Sequence, residues 1–246
     1  MLKPLRELAD LVHFEILAAR TFIVAFIVIQ LAMTLGLILG FGYFLPHMSD
    51  FQALYLTTGA VSQTIVTVAL VMLPQKLSQE KSEGKFEFLW TLPISREVYV
   101  FAELATVALF SLPGMILALV LGVWHYELSL NVSVAVLAVV PLGILSLAGV
   151  GVAVSLLSPY RQLTNALTQL TIFYVLLFAP VLFPKEQLPD LLQRVSVAMP
   201  PTYVADGMRG SLTNLPGTDV VHSMLVLAAF AAGSIAVSAT IIRRRG

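Results

Sequence analysis

Residues 76–103 read KLSQEKSEGKFEFLWTLPISREVYVFAE and hold nearly a third of the chain's charged side chains. The runs on either side, 51–75 and 104–126, contain no Asp, Glu, Lys or Arg at all. Four further stretches share that property: 21–49, 128–160, 162–184 and 220–242. Each exceeds the roughly 20 residues that a helix needs to cross a hydrocarbon core of about 30 Å. Backbone groups in lipid must be satisfied within the segment, so these runs predict helices. The expected fold class is an all-α membrane protein in a single domain, 1–246. Its six spans lie at about 21–45, 52–75, 99–122, 132–157, 164–183 and 219–242.

Composition supports this reading. Hydrophobic residues make up 58% of the chain and charged residues 11%, against about 25% charged in a typical soluble domain. Too few polar side chains exist to cover a water-facing surface. The net charge of zero argues against a nucleic-acid partner, which calls for a basic face. Cysteine is absent, which removes disulfides, thiolate metal sites and cysteine nucleophiles. The first apolar run outlasts a signal-peptide core, so no cleaved signal is expected.

Orientation follows from the basic residues. Lys3, Arg6 and Arg20 precede the first span; Lys76, Lys81, Lys85 and Arg96 lie in the opening stretch; Arg161 follows span four, and Arg243, Arg244 and Arg245 follow span six. Only Lys185, Arg194 and Arg209 fall on the other side. Both termini and residues 76–103 are therefore expected in the cytoplasm. Residues 1–20 form an amphipathic helix at the inner interface, with Leu5, Leu8, Leu11, Val12 and Ile16 at helical spacing. Gly36 and Gly40, four apart in span one, suit close approach of a second helix.

The last external loop, about 184–218, carries two short helical signals. Pro189 can open a helix with Leu191, Leu192, Val195 and Met199 on one face, and Pro200-Pro201 ends it. The segment PTYVADGMRG, 201–210, then forms a second piece, with Pro201, Tyr203, Asp206 and Arg209 as its notable residues. Such pieces can dip into the outer leaflet or fold over the exit of a pathway.

No motif in the chain carries catalysis. There is no GxxxxGK[ST] loop to cradle nucleotide phosphates, no HExxH and no GxSxG. His13, His47, His125 and His222 are scattered, and no metal or cofactor site is expected. Charge-free spans also leave no proton relay inside the membrane. Glu103 comes closest, and it can snorkel or pair with a base such as Arg96. Neutral polar residues do recur at i, i+4: Gln30 with Thr34, Gln63 with Thr67, and Asn165 with Gln169. Each pair shares a helix face and should face protein or a cavity, because facing lipid is costly. Interhelical packing and lining of a substrate path both remain open for them.

Within the opening stretch, a helix from about Gln75 to Trp90 sets Phe86 and Trp90 one turn apart and puts Glu80, Glu83 and Glu87 along an acidic stripe. Gly84 permits a bend. Pro93 ends the helix, since the residue before proline avoids helical angles, and Ser95 can cap the helix that enters span three. A charged helix tipped with aromatics suits a groove on a partner protein; it equally suits a hairpin resting on lipid headgroups.

The segment EKSEGKFEFLWTLPISR, 80–96, resembles the signature of type-2 ABC exporter permeases. There a Glu-rich helix containing Gly runs into a Thr-x-Pro-[IV]-Ser-Arg stretch between spans two and three. PTYVADGMRG is similar to the stretch before that family's last span. Ala102-Glu103 departs from the family's usual Gly-Lys. The resemblance implies the transmembrane subunit of an exporter in a prokaryotic plasma (inner) membrane, paired with a second copy or a related permease, with membrane lipid around it. Separate ABC ATPase subunits would bind ATP and Mg and drive efflux of a drug, lipid or glycolipid-like substrate. The coupling helix would comprise Gln79, Glu80, Glu83, Gly84, Phe86, Glu87 and Trp90, with Pro93 and Arg96 as the elbow into span three. Two rival readings are an ATP-independent carrier or channel, and a membrane enzyme built on Asp206, Arg209 and His222.

Overall fold

The computed structural model describes residues 2–18, 20–44, 48–85, 96–213, 215 and 217–245. Among them the chain is helical, with no strand. In order, the helices are α1 (Leu2–Ala18), α2 (Arg20–Phe44), α3 (Asp50–Thr67), α4 (Leu73–Ser82), α5 (Arg96–Tyr126), α6 (Val136–Leu157), α7 (Arg161–Phe178), α8 (Asp190–Ser196), α9 (Pro200–Leu212) and α10 (Val220–Arg245). Four helical stretches are long and apolar enough to cross a membrane: Ile23–Phe44, Asp50–Ser82, Phe101–Tyr126 and Val136–Leu157. Val220–Ala236 is a further apolar helix.

The stretch Asp50–Ser82 is the pillar of the bundle. Of its most apolar window 89% is buried, against 28% for the first span. Ser49 opens it with a capping box: Ser49 Oγ accepts from the Gln52 amide, and the Gln52 side chain accepts from the Ser49 N–H. α3 runs into a π-helical turn, Val68–Met72, and then into α4. Pro74 sits in the first turn of α4 and has no N–H to return to the preceding turn. The π-turn is the local accommodation. Gly151 of α6 lies against it, because a side chain there would meet the Ala69 carbonyl and Pro74.

The pillar has 33 residues, which is about 50 Å of helix. That exceeds a hydrocarbon core of about 30 Å, so the α4 end stands at the membrane boundary. Its charges can therefore be buried by protein without lying at the membrane centre. Around the pillar pack α2 and α5, and also α6, α7 and α9; α10 packs on α6 and α9.

Several expectations change here. The expected helix from Gln75 to Trp90 is interrupted. α4 ends at Ser82 and Glu83, and Gly84 has φ +72°, a left-handed conformation that suits glycine and terminates the helix. Gly36 and Gly40 have nothing described within 4 Å of where a side chain would begin, so they bring no helices together among the described residues. The close approaches lie elsewhere. A side chain at Gly149 of α6 would collide with Ser234 of α10, and one at Gly114 of α5 would meet Gln30 and Thr64.

The segment before the last helix is built into the bundle. α8 spans Asp190–Ser196, with Met199 buried after it and Leu191 on the open face. Both prolines at 200 and 201 occupy the first turn of α9, where a missing N–H costs nothing. α9 runs antiparallel to the first part of α10: Gly210 lies by Val220, Gly207 by Ser223, and the Tyr203 ring by His222 and Phe230. Val204, Ala205 and Met208 are fully buried.

Candidate functional site

The α4 end carries a buried ionic cluster. Lys76 Nζ lies 2.6 Å from Glu15 of α1, 3.2 Å from Glu80 one turn on, and 2.5 Å from Glu103 of α5. Lys85 adds contacts of 2.8 Å to Glu15 and 2.7 Å to Glu80, and its ammonium lies 5.5 Å from the centre of the Phe14 ring. Tyr99 Oη donates to Glu80 at 3.0 Å. Lys76, Glu15, Glu80 and Glu103 are all buried. Burial works to raise the Glu15 carboxyl, but the ammonium groups of Lys76 and Lys85 outweigh it and hold Glu15 below its ordinary value.

Helical geometry explains the cluster. Lys76 and Glu80 sit at i, i+4 on the face of α4 turned toward α1 and α5. Glu15 lies on the inward face of α1, beside the half-buried Ile16, with Leu11 one turn earlier. Three carboxylates converge, their nearest oxygens within 4.8 Å of one another. That is a metal-like arrangement, but the Lys76 ammonium stands among them and takes the cation's place. Chemically, the cluster is a clamp that fastens the interface helix, the end of the pillar and the start of α5.

This corrects one expectation and narrows another. Glu80 is not part of an outward acidic stripe; its carboxylate is occupied by Lys76, Lys85 and Tyr99. Of the two outcomes expected for Glu103, snorkelling or pairing with a base, it takes the second, and the base is Lys76 rather than the suggested Arg96. Glu15, Lys76, Lys85 and Tyr99 were not singled out from sequence as a group. A signal existed: Lys76 and Glu103 are the charges that border adjacent spans on the same side, hence at similar depth.

The remaining coupling residues divide. Gln79 is half-buried and donates to the exposed Glu83 at 2.7 Å. Glu83 and Gly84 form the exposed turn that ends α4. Phe86, Glu87, Trp90 and Pro93 lie outside the described residues. Arg96 is the first residue of α5. Lys81, on another face of α4, donates to the Ser158 carbonyl at 2.8 Å and to that of Leu156 at 3.4 Å, which closes the end of α6.

Of the three polar pairs, two face inward to different degrees. Gln30 and Thr34 are buried, and Gln63 and Thr67 are half-buried. Neither amide atom of Gln30 has a hydrogen-bond partner among the described residues. Asn165 and Gln169 do not face the interior of this chain: both are exposed. Their neighbours Thr164 and Thr168 turn inward instead. Thr164 Oγ1 donates to Ser78 Oγ at 3.0 Å, and Gln75 Nε2 donates to Thr168 Oγ1 at 3.1 Å. One residue of helix is a rotation of about 100°, enough to move one pair out as the other moves in.

At the other end of the pillar, Arg209 of α9 is buried. It pairs with Asp206 at 2.9 Å, donates to the carbonyls of Pro180 and Val181, and lies 3.9 Å from the centre of the Tyr55 ring. Burial pushes the Asp206 carboxyl up, and Arg209 offsets part of that. Pro201 is buried, and Tyr203 Oη donates to the Val197 carbonyl at 2.8 Å. The Arg-Gly stretch thus works as a lock between α9, α3 and the segment after α7. His222 lies edge-on to Tyr203. Asp206, Arg209 and His222 are engaged in packing, which gives no support to the membrane-enzyme reading.

The sequence model of the family described as ABC-2 family transporter protein matches residues 49–240. A comparison with curated proteins finds no match.

Proposed function

The chain belongs to the ABC-2 family of transporter proteins, and on that premise we propose that it is the membrane subunit of an ATP-driven exporter, with the exposed end of α4 as its contact to a separate ATPase. As a member of that family with several membrane-crossing helices, it is a multi-pass membrane protein of ABC transport. The observation that carries the proposal is the cluster around Lys76. The pillar leaves the membrane, ends in an exposed turn at Glu83-Gly84, and is clamped just before that turn to α1 and α5. A force applied at residues 79–90 would move three helices together. Rigid elements joined by a packed network are what transmission of a domain motion requires.

The exposed Asn165 and Gln169 support a second element of the reading. Amides on a membrane helix are costly against lipid. A second permease copy, or a related permease, would cover that face of α7 and place both amides along a path between subunits. Two cytoplasmic ATPase subunits would bind ATP and Mg. A path of amides, hydroxyls and apolar side chains suits an amphipathic substrate: a drug, lipid or glycolipid-like molecule. The excess of basic residues on one side supports a cytoplasmic location for both termini, and the resemblance to exporter permeases supports a prokaryotic inner membrane.

The test is co-purification with the ATPase subunit. Phe86→Ala/Trp90→Ala is expected to abolish the complex while the permease stays folded by circular dichroism. Normal complex formation and transport by that variant would refute the coupling assignment. Transport by this chain alone, driven by an ion gradient in liposomes, would favour the ATP-independent carrier.

A further inference from the structure

Between α6, α7 and α10, below the first turn of α9, lies a cavity of about 790 Å³. Small residues make the room: Gly149 and Ala153 on α6 face Ala229 and Gly233 on α10. The three hydroxyls that line it are already committed. Ser146 donates to the Gly143 carbonyl, Ser158 to that of Val154, and Ser234 to that of Ser146. The wall therefore offers an occupant no free hydroxyl proton, and leucines 163 and 167 close it on the α7 side. A sugar or an ion would find nothing there to replace its hydration.

The cavity runs along α6 from Ser146 to Ser158. Twelve residues of helix are about 18 Å, close to the roughly 15 Å of one leaflet of a 30 Å core. Its Ser158 end is where the charge collects. Lys81 Nζ rests on the Ser158 carbonyl, and Arg161, exposed, opens α7 three residues later. An apolar slot one leaflet long with two cations at its interfacial end is complementary to one kind of molecule.

We propose that this cavity holds an acyl chain of an anionic phospholipid from the bilayer, with the phosphate headgroup over Lys81 and Arg161. The site needs only a membrane-embedded chain and is independent of ATP coupling. Each cation near the surface contributes about fivefold to anionic-lipid binding, and the pair about 25-fold.

Gly233 provides a clean perturbation. A side chain there meets nothing described within 4 Å and projects from a residue of the cavity wall. Gly36 is equally open and lies on α2, outside the cavity lining, so Gly36→Phe is the control. The full chain, purified and stripped of lipid, is titrated with phosphatidylglycerol or phosphatidylcholine and read by native mass spectrometry. The expected result is at least tenfold preference for phosphatidylglycerol. Gly233→Phe should abolish binding and Gly36→Phe should retain it. Arg161→Gln, which leaves the Lys81 contact with Ser158 intact, should cut the preference about fivefold. Three outcomes would overturn the proposal: equal binding of the two lipids, phosphatidylglycerol binding retained in Gly233→Phe, or a dimer in wild type that Gly233→Phe dissociates.

Discussion

Replacing Lys76 with methionine keeps the length and most of the volume of the side chain and removes its charge. The ammonium now serves three carboxylates within 3.2 Å, and all four residues are at most 6% exposed. Without it, Lys85 still bridges Glu15 and Glu80, but Glu103 loses its ion pair. Removing one partner of a buried pair costs about 3–5 kcal/mol, because the other charge is left uncompensated. At this chain length each kcal/mol moves the melting temperature by about 2–4 °C. Lys76→Met should therefore melt about 6–20 °C below the parent. Unfolding is followed in detergent micelles by the fluorescence of Trp90 and Trp124. The double variant Lys76→Met/Glu103→Gln removes the stranded charge as well and should recover at least half of the loss. A Lys76→Met melt within about 2 °C of the parent, or a double variant as unstable as the sum of the singles, would refute the role of Lys76 as hub.

Three further outcomes follow from the geometry. Gly149→Ala forces a methyl group into Ser234 and should cost about 1–3 kcal/mol, whereas Gly233→Ala should be neutral or stabilise the helix by up to about 1 kcal/mol; thermal melts of the two decide it. Asp206→Asn should destabilise by about 3–5 kcal/mol because it leaves the buried Arg209 guanidinium without its counter-charge, while Arg209→Met should cost about 1–3 kcal/mol, from the Val181 carbonyl left without a donor, because the Asp206 side chain, 40% exposed, is reached by water; chemical denaturation compares them. Docking of α1 should depend on acid with a definite sign: the Glu15 carboxyl is held below its ordinary 4.5, so its stabilisation is complete above that value and is lost as pH falls through the lower, folded value. Hydrogen exchange in α1, after correction for intrinsic rates, should thus rise as pH falls below the ordinary carboxylate range, and Glu15→Gln should remove that rise.

Four of the six expected spans coincide with helices long and apolar enough to cross a membrane, and they were readable because charge-free length is a one-dimensional property. Their ends were less so. The helix of span two continues past residue 75 to Ser82 with Lys76 and Glu80 buried, because these charges are neutralised by residues from α1 and α5 that are distant in sequence. Read locally, those charges signal exit from the membrane and an outward stripe. The same limit explains Asn165 and Gln169: i, i+4 spacing shows that two residues share a face, and packing decides which way that face turns. Gly84 was legible as a possible bend, because its conformational freedom is intrinsic to the residue, but not as the end of α4. The Arg209 lock was visible only as a short stretch of sequence; its partners, Tyr55 and Val181, come from two other parts of the chain.

The absence of cysteine from the sequence makes the coupling claim directly testable. A single Glu83→Cys at the exposed turn after α4, mixed with the ATPase subunit carrying one groove cysteine and a short bismaleimide, should give a covalent permease–ATPase adduct, with Tyr43→Cys, 85% exposed at the far end of α2, giving none. Equal adduct from both positions, or none from Glu83→Cys in a complex that hydrolyses ATP and transports, would contradict the assignment of this turn as the ATPase contact.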